Sequence, residues 1–282
     1  MTSAVVTIAH GRHDHLLAQH GSLAMGSRVP DLYVVVAMDD AWIESWRPEG
    51  TLRPTVVAMG SDPRGLPLAA ARNAGFAVAL ERGADVVIGL DVDCLAGRDL
   101  VAAYADAAVR EAHVAWTGPV TYLKPRARRG YDLAVLAGAD DPHPARPAPE
   151  PGDVARRTPP ELFWSLSFAC HRDLWQRVGG FCEEYVGYGA EDTDFGRQLE
   201  AGGIELASEG SARAYHQHHD SEVPPRRHVP DLLRNGAVYA RRWGSWPMEG
   251  WFETLAQEGL VVRDGADGWA PPPGVPGTRP PS

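Results

Sequence analysis

Two carboxylates one residue apart, Asp91 and Asp93, close the apolar run Val86-Val87-Ile88-Gly89-Leu90. A buried strand that ends in this way sets acidic side chains at the carboxyl edge of a sheet, where open α/β sheets take their ligands. Period-two alternation would turn both side chains to the same side. Like charges repel there unless something positive sits between them, and a divalent cation carrying a diphosphate answers that need. A solvated acidic turn after the strand would account for the pair without any chemistry.

A second acidic group, Glu191-Asp192-Thr193-Asp194, follows the glycine-laced stretch Gly187-Tyr188-Gly189-Ala190. Carboxylates in a first helical turn are favoured by the macrodipole and by capping. The chemical reading has Asp192 or Glu191 facing a cleft and removing a proton from an incoming nucleophile, with the glycines letting substrate approach the backbone. The third group is His216-Gln217-His218-His219. Alternation puts His216 and His218 on one side and Gln217 and His219 on the other. An imidazole at the end of a late strand could join the cation of Asp91 and Asp93 and leave positions open for two phosphate oxygens. A zinc site of histidines alone lacks a Cys or Glu at supporting spacing. Arg72-Asn73-Ala74-Gly75 lies inside a helical pattern. It is either an exposed turn with a packing glycine or an Arg and Asn directed at a nucleotide from the helix flank.

These residues need a scaffold, and the hydrophobic pattern supplies one. Continuous apolar runs at 4–9, 32–38, 55–59 and 86–90 predict buried strands, and helical patterns at 66–82 and 99–111 alternate with them. Gly83 closes the first helix. Strands buried on both faces and alternating with helices predict an α/β fold with a mostly parallel sheet. Further on, a strand is expected at 162–170, a helix at 172–178, a helix from Asp192 to Gly202-Gly203, and short strands at 204–207 and 212–215. Between them, Lys124, Arg126, Arg128 and Arg129 precede a run crowded with Pro from Pro142 to Pro160, read as a flexible loop without regular structure. Its four cations could close over a diphosphate as a lid. The organisation expected is a catalytic domain over 1–225, a helical Trp-rich appendage over 226–264, and a disordered Pro/Gly-rich tail over 265–282. The aromatics of the appendage either pack onto the core or offer an acceptor platform, a homodimer contact or a peripheral membrane foot.

At 282 residues and 44% hydrophobic, the chain can bury one sizeable core. A formal charge of -10 argues against nucleic acid as a partner. Cys94, Cys170 and Cys182 are odd in number, lack metal-site spacing and read as reduced thiols of a cytoplasmic protein. The start has no basic region and too short an apolar stretch for a signal peptide, and no segment approaches a membrane span.

Taken together, the loop His10-Gly11-Arg12, the stretch Ala71-Arg72-Asn73-Ala74-Gly75, Asp91-Val92-Asp93, Val178-Gly179-Gly180-Phe181 and the Glu191-Asp192 group resemble a GT-A-fold glycosyltransferase of family 2. The segment 163–203 is similar to the C-terminal half of the galactosyltransferase and polypeptide N-acetylgalactosaminyltransferase groups. There a Gly-rich aromatic stretch precedes Glu-Asp, as Tyr185-Val186-Gly187-Tyr188-Gly189 does here. The resemblance covers about residues 4–220. It implies a nucleotide-sugar donor, UDP-linked by default, with Mn²⁺ or Mg²⁺ as cofactor. It also implies transfer with inversion to a hydroxyl of a small-molecule, glycan or peptide acceptor.

Carried over by position, Asp93 ligates the metal, Asp91 holds the ribose or a metal-bound water, and His216 is the third ligand, with His218 as the alternative. Asp192 is the general base and Glu191 orients hydroxyls beside it. Ala9, His10, Arg12 and Asp39 line the nucleoside pocket, with Arg72 on the donor side. Trp164, Ser165, Gly180 and Tyr188 contact donor sugar or acceptor, although Tyr188 stands where the galactosyltransferase group has Trp. A sugar nucleotidyltransferase is the enzyme alternative, but it wants a Gly-rich basic loop after the first strand. A catalytically silent nucleotide-sugar binding module is the non-enzyme alternative.

Overall fold

The computed structural model describes residues 1–125, 130–220, 222–265 and 268–274. Its strands in chain order are β1 (Ser3–Ala9), β2 (Leu32–Met38), β3 (Pro54–Met59), β4 (Val86–Leu90), β5 (Cys94–Ala96), β6 (Ala115–Thr117) and β7 (Val120–Tyr122), then β8 (Val154–Ala155), β9 (Ser167–His171), β10 (Leu206–Glu209), β11 (Ala214–His216), β12 (Val262–Asp264) and β13 (Gly268–Ala270). The helices are α1 (His13–Ala24), α2 (Ala41–Ser45), α3 (Leu68–Glu81), α4 (Leu100–Arg110), α5 (Arg172–Val178), α6 (Glu191–Ala201), α7 (Val229–Trp243) and α8 (Glu249–Gln257).

Eight strands form one sheet in the order β3-β2-β1-β4-β9-β6-β10-β8. The first four run parallel, and β1, β2 and β4 are buried along nearly their whole length, as their mostly apolar runs predict for strands covered on both faces. Strand β9 enters antiparallel between β4 and β6, and β8 closes the far edge antiparallel to β10. Leu16 and Leu23 of α1 and Leu100, Val101 and Tyr104 of α4 cover one face of the sheet. Phe76 of α3, Trp175 of α5, and Phe195 and Leu199 of α6 cover the other. Gly75 is what allows α3 to lie this close, since a Cβ there would meet Val6 Cγ1 at 2.4 Å. Gly83, at φ +88°, turns the chain out of that helix as expected.

A second, three-stranded sheet in the order β5-β11-β7 decides the position of the site. In its register His216 pairs with Cys94, so the residue before β5, Asp93, comes alongside the end of β11. The backbone N–H of Gln217 extends the ladder to Asp93 O at 2.7 Å.

Several sequence expectations are corrected. Helices α1 and α2 and strands β6 and β7 escaped the apolar pattern because they are short or carry polar residues facing inward. The strand expected at 162–170 begins only at Ser167, and those at 204–207 and 212–215 lie about two residues later. The segment 124–160 is not structureless: it holds a 3₁₀ helix at Leu133–Ala139 and strand β8. Arg126, Arg128 and Arg129, and with them the core of the lid idea, lie outside the described residues. In the C-terminal part β12 pairs with β13, so order continues past 265, while 275–282 lies outside the described residues. Phe252 and Trp269 pack with Leu232 and Leu255, with Trp246 and Trp251 against them. Among the described residues no helix is long and apolar enough to cross a membrane.

Candidate active site

Strand β4 delivers Asp91 and Asp93, but not as the alternation of a strand would have it. The chain turns at Asp91, whose carbonyl accepts from Cys94 N at 2.8 Å, so the two carboxylates face different partners. The turn is held from inside by Gln19 of α1, which has no exposed surface and donates to Asp91 O at 2.6 Å and Cys94 O at 3.0 Å. Its own Oε1 accepts from Thr7 and Tyr33. Gln19 had no signal in the sequence, because its helix had none.

Asp93 meets two imidazoles. Its Oδ1 lies 3.5 Å from His216 Nε2 and its Oδ2 lies 3.3 Å from His219 Nε2. One ligand atom from each of the three residues falls within 4.8 Å of the others, the geometry of a cation site. The donor set fits such an ion: one carboxylate oxygen and two imidazole nitrogens suit a borderline divalent metal. Asp93 Oδ1 is buried without a hydrogen-bond partner among the described residues, an acceptor waiting for a positive group. Burial lowers the pKa of His216 against the pull of Asp93, which favours the neutral ring that a metal needs. The hydrogen bond to Asp93 raises the pKa of His219, so a cation bound there would have to displace a proton held more firmly than usual. Burial works against ionising Asp93, yet the His219 hydrogen bond, His216 and Arg12 hold it below its ordinary value. The strand ends at His216, so alternation does not extend to 218: His218 is exposed, and His219 joins the group instead.

Asp91 is not part of this trio. Its Oδ1 accepts from Arg72 Nη2 at 3.1 Å. Arg72 is 7% exposed, and its other terminal nitrogen lies 3.5 Å from Glu191 Oε1. The guanidinium from α3 therefore ties the strand acid to the helix acid rather than reaching along an exposed flank. Burial pushes Asp91 up to about 6, opposed by Arg72. Burial also pushes Glu191 up to about 7, with Asp192 adding to the rise and Arg72 opposing it.

Helix α6 opens at this point. Ala190 has φ 74°, a left-handed backbone that a side chain adopts at a cost and that clusters at working sites. The bend buries Glu191 and Asp194 and leaves Asp192 at the rim. Asp192 Oδ2 accepts from Ser165 N at 2.9 Å, while its Oδ1 has no partner among the described residues. Asp194, the third acid of the group, does more than favour the helix start. It accepts from Tyr185, Gln198, Arg242 and Trp243, which makes it a buried joint. Asn235 of α7 then donates to the carbonyls of Val186, Tyr188 and Gly189, holding the Gly-rich approach in shape.

The remaining expected residues lie around these acids and imidazoles or on the loops beside them. Ala9 is buried at the end of β1, and His10 Nδ1 lies 2.7 Å from Met38 O. Arg12 and Asp39 both adopt positive φ, at 51° and 50°. Arg12 Nη1 approaches Asp93 Oδ2 at 3.8 Å, nearer the trio than a nucleoside pocket required. Asp39 accepts from Ser61. Trp164 lies under Arg146 and edge-on to His143, and Ser165 Oγ is buried without a partner among the described residues. Tyr188 is exposed and stacks on His228 at 4.7 Å. Gly180 frames the site: at φ +83° its missing Cβ would lie 2.6 Å from Asn73 Oδ1, and Asn73 clamps the backbone of Phe181.

The parallel half-sheet, the antiparallel β9 and the acidic edge define a GT-A fold. Residues 154–220 match the family model described as the N-terminal domain of galactosyltransferase. Among solved structures the chain is similar to GalNAc-T7 with UDP, GalNAc and Mn²⁺, at 16% identity and a TM-score of 0.57, covering 86% of this chain. This chain spans 50% of that one, about half its length. It is also similar to the mannosyltransferase PcManGT from Pyrobaculum calidifontis in complex with GDP-Man and Mn²⁺, at 18% identity and a TM-score of 0.49, covering 90% of this chain and 68% of that one. A third is the catalytic domain of Drosophila beta1,4galactosyltransferase 7 with xylobiose, at 15% identity and a TM-score of 0.41, covering 77% of this chain and 71% of that one. Comparison with curated proteins finds no relative by sequence.

Proposed function

We propose that this protein transfers a glycosyl group from a nucleotide-sugar donor to an acceptor hydroxyl, with a divalent cation held by Asp93, His216 and His219. The observation that carries the reading is the convergence of those three ligand atoms, with the buried Asp93 Oδ1 lacking a hydrogen bond among the described residues. The GT-A fold, and a structural neighbour solved with UDP and Mn²⁺, support it. UDP is the favoured nucleotide and Mn²⁺ or Mg²⁺ the favoured ion. Bound there, such an ion supplies a Lewis acid for charge growing on the departing nucleoside diphosphate.

The protein's own contribution lies in placing charge. Asp192 is the general base: its Oδ1 is free to take the acceptor's proton, while the Ser165 N–H fixes its other oxygen. A base on the face away from the leaving group gives single displacement with inversion through an oxocarbenium-like state. Glu191, raised toward neutrality by burial, can donate a hydrogen bond to a sugar hydroxyl, and Arg72 sets its direction. Arg72 also occupies Asp91, which leaves Asp93 alone to meet the ion.

Thermal-shift titration against a nucleotide-sugar panel, with and without Mn²⁺, tests the reading. A ligand at about 100 times its Kd should stabilise the fold by about 2.7 kcal/mol, and only when the ion is present. Nucleotide binding indifferent to the ion, or none at all, overturns it.

A further inference from the structure

The Pro-rich segment brings one more charge to the site. His143 N–H donates to Val120 O at 2.9 Å, Arg146 N–H donates to His143 O at 3.1 Å, and Ser208 Oγ donates to Pro147 O at 3.2 Å. These bonds pin the chain on both sides of Arg146 and drive its side chain inward. The residue is 6% exposed, and its Cζ lies 5.4 Å from the centre of the Trp164 ring. Neither Nη1 nor Nη2 has a hydrogen-bond partner among the described residues. Asp192 is close enough for its charge to act on the guanidinium.

A chain of ring contacts locates the guanidinium between the two ends of the proposed reaction. Tyr122 stacks on His216 at 4.6 Å, which fixes the cation end. His143 bridges Tyr122 at 5.3 Å and Trp164 at 5.4 Å. Ser165, next to Trp164, holds Asp192, which fixes the base end. Ser165 Oγ and Asp192 Oδ1 are also buried without a hydrogen-bond partner among the described residues. A planar fork of donors buried without an acceptor is costly, and its geometry matches a carboxylate or a phosphate held through two oxygens.

We propose that Arg146 is an anion-binding residue of this site and that its partner is a negative group of the bound nucleotide sugar, either the distal phosphate or a carboxylate on the transferred sugar. The proposal rests on the glycosyl-transfer reading. The Pro-rich segment thereby holds a cation where the leaving group or the sugar passes between His216 and Asp192.

The test is calorimetric titration of the full chain in Mn²⁺ with inorganic pyrophosphate, UDP and UDP-glucuronate, for wild type, Arg146→Lys and Arg146→Met. If the partner is phosphate, Arg146→Met weakens pyrophosphate and UDP by about tenfold or more, and Arg146→Lys recovers part of the loss. If it is a carboxylate, pyrophosphate and UDP stay within about twofold and UDP-glucuronate alone falls by about tenfold or more. A residue that only packs Trp164 would instead lower the ligand-free Tm on Arg146→Met without changing any affinity, which overturns the proposal. The expected ligand-free Tm is equal to wild type or higher, since an unpaired buried charge has been removed. Pyrophosphate binding that depends on Arg146, with no nucleotide bound by wild type, would keep the anion site and sink the glycosyl-transfer reading. Binding of no probe by wild type overturns the proposal.

Discussion

Arg242 Nε lies 2.7 Å from Asp194 Oδ1, a carboxylate with no exposed surface. The contact joins α7, near the end of the chain, to the helix whose first turn carries Glu191 and Asp192. Tyr185, Gln198 and Trp243 complete the shell around the same carboxylate. Helix α7 therefore braces the acidic turn through Arg242 and Trp243, while Trp246 and Trp251 pack against Phe252 and Leu255.

This bracing has an asymmetric energetic signature. Asp194→Ala leaves the Trp243 N–H, the Tyr185 hydroxyl and the Arg242 guanidinium without their acceptor, a loss of about 3–5 kcal/mol. Arg242→Ala leaves a carboxylate that still has three donors and costs about 1–2 kcal/mol. Urea unfolding of both variants checks the order. Equal losses would mean that the buried carboxylate is not the centre of the joint.

The cation trio predicts a division among the histidines. His219→Ala should weaken Mn²⁺-dependent nucleotide binding by about 10-fold or more, and Asp93→Ala should abolish it. His218→Ala should leave it within about 2-fold, because that ring is exposed and its backbone N–H, not its side chain, meets Tyr131. Calorimetry with and without Mn²⁺ separates them. A strong effect at His218 with none at His219 would reassign the ligand.

Asp192→Asn removes a proton acceptor while keeping the Ser165 hydrogen bond in reach. Turnover should fall by about 10²–10⁴-fold with donor affinity nearly unchanged. Single-turnover kinetics beside donor titration checks both halves. Near-wild-type turnover would remove Asp192 as the base.

Glu191 carries a pH dependence whose sign follows from its burial. Its folded pKa of about 7 stands above the ordinary 4.5. The folded state thus binds this proton more tightly than the unfolded chain. Its stabilising contribution is complete below about pH 4.5 and is lost as pH rises through about 7. At about 1.4 kcal/mol per pKa unit the change is on the order of 3 kcal/mol. Between about pH 4.5 and 8, Glu191→Gln should gain on wild type by that order in metal-free urea unfolding. A stability difference that does not move with pH rejects the assignment.

The sequence by itself determined the parallel half of the sheet, because runs as apolar as 4–9, 32–38 and 86–90, broken only by Thr7, call for cover on both faces. It also determined which acids and imidazoles were available, since their types and spacing are local facts. Tertiary structure decided how they pair. The register of β11 against β5 put His216 beside Asp93, and the turn after β11 brought in His219 where strand alternation pointed to His218. In the sequence Arg72 reads as an exposed turn or a nucleotide contact and Asp194 as an acid of a helix start, while Arg146 carries no reading at all; only folding placed each of them inside. A charge's partner is set by long-range packing, and no period in the sequence encodes a contact between residues separated by tens of positions.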